Sequence, residues 1–155
     1  MRRLFIMRKD LHMSPGKLAA QVAHCAEAYW TRQIRLNAKK FAKGYTMVNG
    51  ESLKPYGIYY RTSFDIPTDE YEEYINGIFT KTICEAKNKS QLMKAATKAE
   101  ELGLELDVDY GIIADACLTE FEPEEPDGTT ITGIWFKPLP DDVAHEISKK
   151  YQLYR

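Results

Sequence analysis

Cysteine is scarce in this chain: Cys25, Cys84 and Cys117 form an odd, scattered set with no CxxC spacing. That argues against a disulfide framework and against a structural zinc site. Cys25 and Cys84 are expected to pack in the interior as small hydrophobes. No second His or Cys stands at ligand spacing from His24, so a metal is not expected. Long apolar runs are missing as well. The early stretch Leu4-Phe5-Ile6-Met7, held between Arg3 and Arg8, is too short for a signal sequence or a membrane span. A cytoplasmic, unprocessed protein without a membrane partner is the default expectation. Internal repeats, low-complexity tracts and Pro/Gly/Ser linkers are also absent.

What remains is an ordinary globular composition. The 155 residues are 44% hydrophobic and 28% charged, enough for one domain to bury its own core. The net charge of −2 conceals an asymmetry. Residues 1–43 carry ten Lys/Arg against only Asp10 and Glu27, whereas the remainder is strongly acidic. A cationic first third suits a phosphate-bearing partner, because steering depends on the local field and not on the total. A solvated helix face balanced by acids folded nearby is the plainer alternative.

Along the chain, Leu4–Arg8 predicts a first strand. Ser14 is a good N-cap, and Pro15 occupies the first helical position, where its missing N–H costs nothing. That helix is expected to run through Trp30 and as far as Lys43, with Gly44 as its stop. Asn49-Gly50 is the strongest hairpin signal, opening a Tyr- and Phe-rich excursion. Residues 67–76 predict a short acidic helix and 82–86 a second strand. Ser90 is read as the cap of a helix over 91–102 that Gly103 ends. Residues 110–114 and 131–137 predict the third and fourth strands, and a closing helix follows from Pro140 to about Lys150. Strands alternating with helices make an α/β fold with helices on both faces of one small sheet.

Two stretches carry candidate chemistry. In Pro15-Gly16-Lys17-Leu18-Ala19-Ala20-Gln21-Val22-Ala23-His24, the residues Lys17, Gln21 and His24 form one helical stripe. Lys17 is oddly placed, since a cation in the first turn faces the positive end of the helix dipole. Something negative should lie beside it. Asp115 is the obvious internal candidate, arriving at the end of the run Gly111–Ala114, where open α/β sheets place their ligand sites. Thr119 follows four residues on, and Thr130 and Thr132 are expected on one face of the fourth strand. Taken singly, each has a bland alternative: a solvated lysine, a wet helix face, a turn aspartate, strand-forming threonines.

Together the pattern is far more specific. Met-x-x-Gly-Lys-x-Ala-Ala-Gln-x-x-His over Met13–His24 resembles the opening helix motif of the type II peptidyl-tRNA hydrolases. So does Asp-Ala-x-x-Thr over Asp115–Thr119, with a Thr-x-Thr strand and a following proline between Thr130 and Pro138. The resemblance covers residues 3–30 and 77–155 well and 31–76 poorly. It implies a single domain over residues 1–155, a three-layer α/β/α fold on a mixed four-stranded sheet, with a divergent insertion at about 44–66. It implies hydrolysis of the ester between a peptide and the 3′ ribose of tRNA, without metal or cofactor, by a protein that is commonly a homodimer. Carried over by position, Lys17, Asp115 and Thr119 match catalytic positions, and Gln21, His24 and Thr132 match positions near them. Arg32, Arg35 and Lys39, on the basic segment 32–43, are candidates for contacting tRNA phosphates.

Three departures stand out. Cys117 replaces the family's glycine, so a turn that favours glycine must accommodate a side chain. Glu120 replaces a glutamine. The loop 121–128 is longer than the family's and, with Glu120, brings five acids toward the presumed cleft, where they would oppose a polyanion. Hydrolysis of another ester or amide, or a non-catalytic docking role, therefore stays open at this point.

Overall fold

The computed structural model describes residues 1–43 and 57–155. The expected helix stop at Gly44 and the Asn49-Gly50 hairpin lie outside the described residues. The chain divides into two compact units, Met1–Tyr29 with Ile66–Arg155, and Trp30–Asp65.

The first unit is built on β1 (Arg3–Arg8), six consecutive buried residues. Both faces are covered, so β1 needs no polar alternation. It pairs in parallel with β4 (Lys81–Ala86) and antiparallel with β6 (Thr130–Phe136). β5 (Tyr110–Asp115) adds antiparallel to β6, and a two-residue strand, β7 (Gln152–Leu153), closes the far edge on β4. The order is β5-β6-β1-β4-β7, a mixed sheet. It has five strands where four were expected, because two residues are too few to leave a periodic signal. Two further strands, β2 (Lys39–Lys43) and β3 (Gly57–Arg61), belong to the second unit.

Alternation along β1 divides the core. Leu4 and Ile6 pack with Ile134 and Phe136 against α2 (Lys89–Glu101) and α3 (Asp141–Ser148), through Leu92, Ala95, Ala99, Ala144 and Ile147. On the opposite face lies the start of α1 (Pro15–Asn37), which buries Gln21, Cys25 and Tyr29. The Cys25 thiol meets Met7 Sδ at 3.8 Å, and the Tyr29 ring lies 6.2 Å from that of Trp135. This is the expected α/β/α layering. Gly111 permits it locally: a Cβ there would sit 2.6 Å from the Trp135 indole. Arg3, 1% exposed, donates to the carbonyls of Phe136, Ala26 and Cys25. Burial pulls the pKa of this cation down, against smaller opposing effects that include the charge of Glu70.

Helix boundaries follow their caps. The Ser14 hydroxyl accepts from Lys17 N–H at 3.2 Å, which starts α1 where the sequence indicates. α2 starts earlier than expected, with Asn88 and not Ser90 as its cap. Asn88 is extended, its side chain accepts from Gln91 N–H at 2.9 Å, and the Gln91 side chain reaches back to Lys87 N–H. Gly103, at φ 80°, ends α2. Its N–H bonds Glu100 and that of Leu104 bonds Ala99, a Schellman arrangement. The segment expected as an acidic helix is a π-helical turn, Glu70–Ile75. It buries Glu70, whose carboxylate accepts from Tyr29 Oη at 2.9 Å.

The second unit corrects the reading of residues 38–43 as helix. α1 stops at Asn37, whose side-chain amide donates to the Gln33 carbonyl one turn back. β2 (Lys39–Lys43) then pairs antiparallel with β3 (Gly57–Arg61). Phe41 packs on Tyr59 at 5.8 Å between ring centroids, and the Arg61 guanidinium lies 4.8 Å from the Phe41 ring.

Candidate active site

β1, β4 and β5 run in one direction, so their carboxyl ends share one edge of the sheet, and α1 begins there. This topology brings Lys17 and Asp115 together across 98 residues of sequence. The Lys17 ammonium lies 2.8 Å from Asp115 Oδ2 and donates to Thr119 Oγ1 at 3.1 Å. It also lies 4.9 Å from the centroid of the Phe121 ring. The cation at the wrong end of the helix dipole thus has the negative partner that local energetics require.

The Asp115 carboxylate is held on both oxygens. Gln21 Nε2 donates to Oδ2 at 2.6 Å, and Cys117 N–H donates to Oδ1 at 2.9 Å. Burial acts to raise its pKa, but the Lys17 ammonium, the Cys117 N–H and the Gln21 amide together hold it below the ordinary carboxylate value. Cys117 makes its bond from φ 55°, the left-handed region that the family's glycine favours. The side chain is accommodated at the cost of backbone strain.

Gln21 is itself fixed. Its Oε1 accepts from the Thr132 hydroxyl at 2.7 Å, so its amide must turn its donors toward Asp115. Thr132 can do this because β6 is irregular at that point. Ile113 pairs with Gly133 and Ala114 with Ile131, leaving Thr132 as an extra residue. Plain alternation back from Ile134 would aim Thr132 at the α2 face. The bulge turns it toward α1. Thr130, expected beside it, instead ties down the following loop, donating to the Glu122 carbonyl and accepting from Glu124 N–H.

The acids expected to crowd this cleft are largely paired off. Glu120 accepts from both the Ser14 N–H, at 3.2 Å, and the Ser14 hydroxyl, at 2.5 Å, at the positive end of α1. Glu124 chelates the buried Arg8 guanidinium, which also holds Asp10 at 2.8 Å. Glu125 pairs with Lys89, and Asp127 accepts from Thr129 within its own loop. Summed along the sequence, these charges oppose a polyanion. In the fold they latch the loop to the scaffold, which weakens the charge argument for a different substrate.

Among the candidates, the structure brings Lys17, Gln21, Asp115, Thr119 and Thr132 into one hydrogen-bonded cluster. His24 is exposed on α1 and takes no part in that cluster. Arg32, Arg35 and Lys39 belong to the second unit, with Arg35 and Lys39 exposed and Lys39 on a strand, not on the expected basic helix. Sequence reasoning missed Phe121 and the Ser14–Glu120 bridge. The signal for the bridge was available, since an acid near a helix N-terminus is the favoured partner of the dipole. Among the described residues no group of three or more His, Cys, Asp or Glu could hold a metal ion. No helix among them is long and apolar enough to cross a membrane.

The family model for Peptidyl-tRNA hydrolase PTH2 matches residues 1–154. The chain belongs to that family, and it is a hydrolase. It is similar to the archaeal peptidyl-tRNA hydrolase of Thermococcus onnurineus, 24% identical over 152 residues, which cover 98% of this chain and 96% of the relative. It is likewise similar to that of Thermoplasma acidophilum, 26% identical over 147 residues, covering 95% and 92%. Among solved structures, a protein of unknown function from Agrobacterium tumefaciens strain C58 superposes with a TM-score of 0.51. It covers 99% of this chain and 97% of its own at 11% identity, a likeness of fold alone.

Proposed function

We propose that this chain hydrolyses the ester joining a peptide, or an N-blocked amino acid, to the 3′ ribose of tRNA, with Lys17, Asp115 and Thr119 as its catalytic residues. The observation that carries the reading is the Lys17 ammonium held 2.8 Å from Asp115 and 3.1 Å from Thr119 at the start of α1. A fixed cation there opposes the negative charge that develops on the ester carbonyl oxygen during attack, the kind of interaction that gains strength in the transition state. Asp115, ionised and only weakly basic, suits orienting a water through a hydrogen bond better than storing its proton. The Thr119 hydroxyl is a second point of attachment for that water. Gln21 and Thr132 act through Asp115 and are positioning residues. Exposed Arg35 and Lys39, with Arg32, supply cations for the tRNA backbone. The protein works as one catalytic domain, as a homodimer, in the cytoplasm where translation runs.

The test is cleavage of a labelled N-acetyl-aminoacyl-tRNA by the purified protein. Activity should fall steeply with salt, and Arg35→Gln with Lys39→Gln should flatten that dependence. Intact cleavage by Lys17→Met and Asp115→Asn variants would refute the assignment.

A further inference from the structure

Beside the cluster, on the β4–β7 side of β1, lies an open groove of about 550 Å³ that the chemistry above does not use. Its walls include Lys9, His12, Met13, Leu18, Tyr154 and Arg155. Leu18 follows Lys17 on α1, so their side chains leave the helix about 100° apart. The groove and the catalytic ammonium therefore flank the same helical turn.

Its composition is uneven in an informative way. Glu85 is answered by Lys9 at 3.2 Å, and the same ammonium donates to the Arg155 main-chain oxygen. The Lys9 ammonium also lies 4.3 Å from the centroid of the Tyr154 ring, which steadies the ring against the groove. Tyr154 is anchored by its own backbone, whose N–H donates to the Ile83 carbonyl at 3.0 Å. His12 is held at φ 46° in the bend from β1 to α1, a conformation that a non-glycine residue adopts at a cost. It is exposed, as is Arg155. An aromatic ring, an apolar floor and two basic side chains match a flat base carrying a phosphate. A peptide of arbitrary sequence offers neither feature.

We propose that this groove seats the 3′-terminal nucleotide of the tRNA, its base against Tyr154 and its phosphate toward His12 and Arg155. This rests on the peptidyl-tRNA reading, in which the scissile ester hangs from that same nucleotide. Occupying the groove would deliver the ester across the first turn of α1 to Lys17.

The test uses a short ribo-oligonucleotide with the sequence of the tRNA 3′ end, carrying no ester, and a second that lacks only the terminal base. The wild-type protein should bind the intact oligonucleotide about tenfold more tightly than the abasic one. Tyr154→Leu should bind both alike, Tyr154→Phe should restore the preference, and Arg155→Gln should lower the salt slope by about one. Equal binding of both oligonucleotides by the wild type, which needs no variant to fold, would overturn the proposal. So would a Tyr154→Leu variant that still distinguishes them. Base-dependent binding by a protein that cleaves no ester would sink the catalytic reading and leave the groove standing. Ester cleavage with no discrimination between the oligonucleotides would do the reverse.

Discussion

Replacing Asp115 by asparagine tests the centre of the site, because the shape is kept and only charge and donor pattern change. The asparagine oxygen can serve Cys117 N–H or the Lys17–Gln21 pair, but not both. In the first orientation its NH2 group faces the Lys17 ammonium and the Gln21 NH2, and a stack of donors is left with no acceptor. In the second, the Cys117 N–H is orphaned. Breaking one partner of a fully buried ion pair costs about 3–5 kcal/mol. Lys17 and Asp115 are 11% and 9% exposed, so water can relax around the ammonium. A loss of about 2 kcal/mol is the discounted expectation, read as a lower denaturant midpoint at unchanged slope. Ester cleavage should fall by about 10²- to 10³-fold, since both the water's acceptor and the lysine's anchor are lost.

A double-mutant cycle with Lys17→Met makes the argument quantitative. The two groups touch, so the coupling should be about 1–3 kcal/mol, beyond the roughly 0.5 kcal/mol within which independent sites add. The pH dependence has a definite sign. Asp115 has a folded pKa below its ordinary 3.8, so the stability it contributes is complete above that value and is lost as the pH drops through the folded pKa. In wild type the acid limb of kcat/KM should therefore lie below 3.8, provided the fold survives there. Wild-type stability in Asp115→Asn, together with coupling within about 0.5 kcal/mol of zero, would refute the reasoning.

Thr132→Val keeps the volume but leaves Gln21 Oε1 buried without its donor, which should cost about 1–3 kcal/mol. Its activity loss should appear in kcat more than in KM, as befits a residue acting through Gln21 and Asp115. Gly111→Ala drives a methyl into the Trp135 indole and should destabilise by about 1–3 kcal/mol, measured by denaturant unfolding. Cys117→Gly should stabilise by about 0.5 kcal/mol, since relief of a left-handed backbone exceeds the entropy that glycine adds to the unfolded chain. It should also retain cleavage, and an inactive Cys117→Gly would show that the thiol does chemistry.

The parts of this site that were legible in the sequence were those set by local energetics. Ser14-Pro15 marks a helix start from the chain alone, and a lysine two residues later demands an anion because the dipole there is positive. Asp115 was findable by the same logic, at the end of an apolar run. Thr132 was found for an incomplete reason. A period of two cannot show a bulge, and it is the bulge that turns its hydroxyl from the α2 face to Gln21. Residues 38–43, Ala-Lys-Lys-Phe-Ala-Lys, are good helix formers, and only pairing with Gly57–Arg61, a partner distant in sequence, makes them a strand. The acidic loop shows the same limit in electrostatics. Charge adds along a sequence but cancels pairwise in space, and neither Arg8 meeting Glu124 nor Lys89 meeting Glu125 has a local signature. The loop's acids therefore have to be judged by what they face. Those that face arginine, lysine or a helix start hold the loop against the sheet, at little cost to an approaching polyanion.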